Sequence, residues 1–309
     1  MRDARRYLQL ALAAIWLLDA ALQYQPYMYT KAFGTEVLAA SAQGNPAVIA
    51  RPITWVAGIV EHHPVSTNAA FATIQLLLAL GIAWRPTVKP ALAASIIWSL
   101  GVWWFGEGLG GVLTGTASPV SGAPGPVILY ALLAVLLWPV SVETGAPERA
   151  SFVAECPVGA GTARVLWLVL WGSLAYFAVQ GSNRSPEGLH DMISSSASGQ
   201  PRWLASVEHH AAGWVAHQGT AVSITLAVVL AVIAVGVFLP VPLVRASLIL
   251  AMALAAVVWI VGQALGGIFT GQATDPNSGP LLALLSLAYW PLKPRRASPD
   301  TGSEPASQP

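Results

Sequence analysis

Trp103-Trp104-Phe105-Gly106-Glu107-Gly108-Leu109-Gly110-Gly111-Val112-Leu113-Thr114-Gly115 is written twice in this chain. The second copy is Trp259-Ile260-Val261-Gly262-Gln263-Ala264-Leu265-Gly266-Gly267-Ile268-Phe269-Thr270-Gly271. Self-similarity at a long fixed offset marks a duplicated structural unit. The match extends outward in both directions. Trp55…Glu61-His62-His63 corresponds to Trp203…Glu208-His209-His210, with Pro52 and Pro201 ahead of them. Gly125-Pro126 corresponds to Gly279-Pro280, and Trp138-Pro139 to Trp290-Pro291. The offset is 147 at Glu61 and Glu208 and 156 at Trp103 and Trp259, so the second copy carries about nine extra residues between those points.

The composition says what solvent surrounds this unit. Of 309 residues, 55% are hydrophobic and 9% charged, whereas a soluble domain carries roughly 25% charged residues. Such a chain cannot cover a water-facing surface, and its main partner is the lipid bilayer. A net charge of +1 offers nothing to nucleic acid. Cys156 is the only cysteine, which excludes an internal disulfide, a multi-cysteine zinc site and covalently attached haem. Thirteen Trp suit the two membrane interfaces.

A helical crossing takes about 20 mostly apolar residues. Eight such stretches are present, at 7–24, 66–84, 91–113, 125–142, 163–180, 219–239, 246–269 and 279–291. Residues 1–20 have the basic start of a signal peptide. Asp19 interrupts the apolar run, and no small-residue cleavage site follows. The expected fold is an all-α membrane bundle of eight helices in two tandem four-helix repeats. Because four is even, the repeats must run parallel, related by an axis along the membrane normal. The domains are then 1–142 and 163–294, joined by a linker at 143–162 and followed by a Ser/Pro-rich tail at 295–309.

Basic residues set orientation. With the N-terminus inside, the inner segments hold eleven: Arg2, Arg5, Arg6, Arg85, Lys89, Arg149, Arg164, Arg245, Lys293, Arg295 and Arg296. The outer segments hold four: Lys31, Arg51, Arg184 and Arg202. Both termini are therefore expected in the cytoplasm, with the protein in the plasma membrane.

All six histidines then fall on the outer side: His62, His63, His190, His209, His210 and His217. The segments 52–63 and 201–217 are expected to be short surface helices, each begun by its Pro. Trp203, His210, Trp214 and His217, spaced 7, 4 and 3 apart, are expected on one face. Asp19 and Glu107 lie inside apolar runs, roughly 8 and 9 Å from their outer ends at 1.5 Å per residue. An intramembrane carboxyl is costly and marks a candidate site. Asp19, Glu107 and Gln263, with Glu61, Glu208 and the paired histidines, are expected to converge on one outward-facing cavity. Imidazole plus carboxylate suits a transition metal, and paired imidazoles suit haem. The plainer alternative is that these are wetted interfacial residues. Asp275 has two readings, an added ligand and, preferred here, turn chemistry. The Gly-rich runs lack the Lys-Ser/Thr of a phosphate loop and are explained by close helix approach.

Leu-Gln-Tyr-Gln-Pro-Tyr-Met-Tyr (22–29), Trp-Phe-Gly-Glu-Gly-Leu-Gly-Gly (104–111) and Ala-Thr-Asp-Pro-Asn-Ser-Gly-Pro (273–280) resemble runs in multi-pass actinobacterial membrane proteins of unknown function. In layout, each half is similar to the four-helix DoxX/DoxD group, which includes a subunit linked to thiosulfate:quinone oxidoreduction. No motif here carries a catalytic residue over from that group. Three functions are expected, the first of them preferred with the third close behind: metal- or haem-linked redox or metal handling at the histidines; a small-solute or ion transporter using Glu107 and Asp19; and a structural or assembly protein. Enzymatic activity, a protein partner and the oligomeric state stay open.

Overall fold

The computed structural model describes residues 2–140 and 151–292. The start of the linker at 143–162 and the whole tail at 295–309 lie outside the described residues. Thirteen α-helices and several 3-10 and π turns make up the secondary structure, with no strand among the described residues. The first half holds α1 (Arg2–Leu22), α2 (Ala47–His62), α3 (Pro64–Ala83), α4 (Val88–Phe105) and α5 (Pro126–Leu136). The second holds α6 (Glu155–Val158), α7 (Ala160–Ala178), α8 (Gly181–Arg184), α9 (Gly188–Ser196), α10 (Arg202–Val215), α11 (Gly219–Gly236), α12 (Val241–Val257) and α13 (Ser278–Ala288).

Among the described residues five helical segments are long and apolar enough to cross a membrane: Pro64–Ala83, Arg85–Phe105, Ala160–Ala178, Gly219–Gly236 and Val241–Gly262. α1 has the length, with 21 residues, but carries Asp3, Arg5, Arg6 and Asp19. α5 and α13 are apolar but only 11 residues each, roughly 16 Å at 1.5 Å per residue.

The expected crossings at 91–113 and 246–269 are cut short. α4 stops at Phe105, and the helix continuing α12 stops at Gly262 after a π turn over Val258–Gly262. The apolar run continues past both points, but the backbone does not stay helical. Leu109 (φ 56°) and Gly110 (φ 62°) are left-handed, as are Leu265 (φ 58°) and Gly266 (φ 73°). A left-handed Leu costs roughly 1–2 kcal/mol, so tertiary contacts must hold it. Those contacts also correspond. Trp103 Nε1 donates to Pro124 O at 2.7 Å, and Trp259 Nε1 to Pro276 O at 2.7 Å. A Cβ on Gly110 would lie 1.9 Å from Pro124 O, and one on Gly266 2.4 Å from the Pro276 carbonyl carbon. Only glycine allows the returning strand of the loop to come this close.

The outer-helix expectation also needs correction. α2 begins at Ala47 with Pro46 as its N-cap, so Pro52 sits inside the helix. Pro201 caps α10 and is not its first turn. His217, with φ 61°, lies beyond the end of α10 and so does not continue its face.

One core runs through both halves. Trp16 of α1, Tyr130 of α5, Trp167 and Trp171 of α7, and Tyr289 after α13 belong to one buried cluster. Among lipid tails such contacts hold through dispersion and shape fit, because lipid is as apolar as the side chains. Residues 152–154 join this cluster, and Ala154 N donates to Ala288 O at 2.9 Å.

The two halves exchange loops at the histidine-bearing end. Val120 packs with Leu189, Ile193, Ala212 and Val215 of the second half. Asn183 Nδ2 donates to Ala117 O at 2.9 Å. In return, Thr274 and Asp275 reach the first half and line a cavity between α1, α3 and α4.

Candidate functional site

α1 presents Asp19 near its end, and Gln23, one residue past that end, donates its backbone N–H to Asp19 O at 3.0 Å and so stays on the same face. Asn68 of α3 donates to Gln23 O at 2.7 Å and fixes that end against α3. α3 adds Phe71, Ile74, Gln75 and Leu78, and α4 adds Ala94, Ile97, Trp98, Gly101 and Phe105, each set at helical spacing. Glu107 follows at the break after α4. Together with Thr274 and Asp275 these residues enclose about 590 Å³, the size of a small-molecule site.

Glu107 Oε1 accepts the Val127 backbone N–H at 3.1 Å, in the first turn of α5. A helix N-terminus has unpaired N–H groups and the positive end of the dipole, so a carboxylate suits this position. Gln263 occupies the matching place in the second half. It accepts from Gly279 N at 3.3 Å and donates to Ser278 Oγ at 2.8 Å. Gln263 is buried there and does not line the cavity.

Asp19 is 2% exposed. Its Oδ2 accepts from Tyr130 OH at 2.5 Å, and the Tyr130 ring packs on Trp16 at 4.3 Å between centroids. Asp275 combines both readings of it. Its Oδ1 accepts from Asn277 N at 2.7 Å and its Oδ2 from Thr274 Oγ1 at 2.8 Å, which is turn chemistry, and it also lines the cavity.

Four enclosed oxygens in this lining have no hydrogen-bond partner: Asp19 Oδ1, Glu107 Oε2, Gln23 Oε1 and Gln75 Oε1. Gln23 and Gln75 are 3% and 7% exposed. A buried acceptor without a donor costs roughly 1–3 kcal/mol, so four in one cavity demand a reason. Among the described residues no Lys, Arg or His lines the cavity.

The histidine sets lie elsewhere. His62, His63, His209, His210 and His217 are exposed, and His190 is half-buried. His62 Nδ1 is 2.7 Å from Gly58 O, and His210 Nδ1 is 2.6 Å from Ser206 O, each on its own helix. His217 pairs with Glu187, and His190 with Asp191 at 3.0 Å. Glu61 is half-buried. Glu208 is buried and accepts from Ser196 Oγ at 2.8 Å. None of these residues lines the cavity. Among the described residues no three His, Cys, Asp or Glu side chains stand close enough to hold a metal ion. The structure thus brings Asp19 and Glu107 together, adds Gln23, Gln75 and Asp275, and separates them from Gln263 and both Glu-His-His sets.

The chain matches no protein-family profile, no curated protein and no solved structure.

Proposed function

We propose that this chain is an eight-crossing plasma-membrane protein of two tandem, parallel four-helix repeats, whose working site is the carboxyl-lined cavity of the first repeat. Its role is to bind or carry a small solute there. The observation that carries this reading is the set of four enclosed, unpartnered oxygens around one 590 Å³ space. A purely structural protein has no use for acceptors kept away from donors. The matching left-handed turns and Trp–Pro contacts support the tandem repeat, and the distribution of basic residues supports cytoplasmic termini. The metal- or haem-linked reading at the histidines rests on their paired positions in sequence alone.

A lipid-soluble carbodiimide tests the working site, because it modifies carboxyls that are protonated and reachable from an apolar phase. Native membranes are treated and the peptides analysed by mass spectrometry. Asp19 or Glu107 is expected to be modified in the folded protein. Modification only after denaturation would remove the cavity as a working site.

A further inference from the structure

We infer that the solute is an amphipathic organic ammonium compound that comes into the cavity sideways from the lipid, along the face of α4. This rests on the cavity being the working site, and it adds the ligand's chemistry and route. Among the described lining residues Trp98 Nε1 is an unpartnered donor, and the four other unpartnered enclosed atoms are oxygen acceptors, two from carboxyls and two from amides. Their complement is a ligand that donates hydrogen bonds. A neutral hydroxyl would donate but would bring no charge to a carboxyl that gives up its proton to the ligand's site, since no basic side chain lines the space among the described residues. An ammonium N–H supplies both donor and charge. A bare metal ion fits poorly, because no three of these carboxyls are close enough to share one.

The remainder of the wall is apolar and aromatic. Trp98 and Phe71 lie 5.7 Å apart across the cavity wall, and Trp16 flanks Asp19. Aromatic faces hold an ammonium by its charge and an apolar body by contact.

The route follows from exposure. Ile97 lines the cavity yet is 73% exposed, and Ala94, one turn away, is also exposed. Ile97 is the tenth of the 18 residues of α4, midway along a helix that crosses the membrane. Surface at that depth faces hydrocarbon, not water. Toward the histidine end the cavity is roofed by Phe33, Leu38 and Val56, of which Phe33 and Leu38 are buried.

The test uses full-length protein in lipid nanodiscs and two probes of equal shape. One is N,N-dimethyl-4-phenylbutylammonium, which keeps one N–H and cannot be acylated to a stable amide. The other replaces its nitrogen with carbon. The ammonium is expected to raise the melting temperature and to shield Asp19 and Glu107 from carbodiimide, while the neutral probe does neither. The combined Asp19→Asn and Glu107→Gln variant should melt normally and lose the shift. Gly101→Leu should weaken the ammonium by about tenfold without unfolding, because a Cβ at Gly101 meets nothing within 4 Å and the longer chain narrows the α4 face. Equal effects from both probes, or carboxyls that are labelled but not shielded, would overturn this inference and leave the working site standing. Carboxyls that are never labelled in the folded protein would overturn both.

Discussion

The Tyr130 hydroxyl donates to Asp19 Oδ2 at 2.5 Å, joining α5 to α1 across 111 residues of sequence. Among the described residues it is the one hydrogen bond to the Asp19 side chain, whose Oδ1 has no partner. Tyr130→Phe keeps the ring against Trp16 and removes only the donor. The expected cost is about 1–3 kcal/mol, the penalty of an unpaired buried acceptor, measured as a lower melting temperature. Asp19→Asn in that background should recover part of the loss. A Tyr130→Phe protein as stable as the parent would show that this bond does not hold Asp19.

Glu107 and Gln263 perform the same capping task on α5 and α13. Glu107→Gln should therefore melt close to the parent. Glu107→Leu, which cannot accept from Val127, should lose about 1 kcal/mol, the usual worth of a helix cap. Thermal unfolding of the two variants side by side decides it, and equal losses would refute the capping role.

Gly110→Ala and Gly266→Ala should each prevent normal folding or lower the melting temperature sharply, since each places a Cβ into the returning loop at a left-handed position. Gly101→Ala, with open space around its Cβ, serves as the mild control. The difference is readable from the monodisperse fraction on size exclusion and from melting curves.

Glu208 predicts a pH dependence outside the crossing helices. Burial pushes its carboxyl from the usual 4.5 up to about 7, against the opposing Ser196 hydrogen bond. A raised carboxyl pKa means that the folded state prefers the protonated form. Its stabilisation is full below the unfolded pKa of about 4.5 and is lost as pH rises through 7. Amide exchange in α9 and α10 should therefore speed up between pH 5 and 8 beyond the intrinsic rate. Glu208→Gln should remove that excess, and an unchanged excess in the variant would assign it to another group.

The helices were legible in the sequence as long apolar runs, and the paired Gly-Gly segments as similar residues at similar spacing. The ends of those runs were not. Nothing local distinguishes Val112 and Leu113 from helical residues; α4 stops because Gly110 meets Pro124 across a loop of distant residues. Asp19 and Glu107 stood out as charges in apolar surroundings. Gln75 carried the same signal in weaker form, an amide inside an apolar stretch, and Gln23 follows Asp19 at helical spacing. Asp275 could not be placed, because its spacing explains a turn completely and gives no sign of which half the turn packs against. For the histidine pairs the sequence did not show which way they face. Two adjacent positions on a helix point about 100° apart at 3.6 residues per turn, and both helices turn them to the outside.

The exchanged loop places the cavity late in the life of a nascent chain. Glu107 and Asp275 are separated by 168 residues (275 − 107). At about 5–20 residues per second of synthesis, the first half waits roughly 10–30 s in the membrane before its last wall residue is made. During that interval Asp19 and Glu107 sit in an unfinished pocket, and Val120 lacks the neighbours that the second half supplies. A membrane quality-control protease or insertion chaperone that senses unshielded carboxyls would meet this protein in that window. The cost of building one site from two halves is thus a period of vulnerability during biogenesis, set by the length of chain between them.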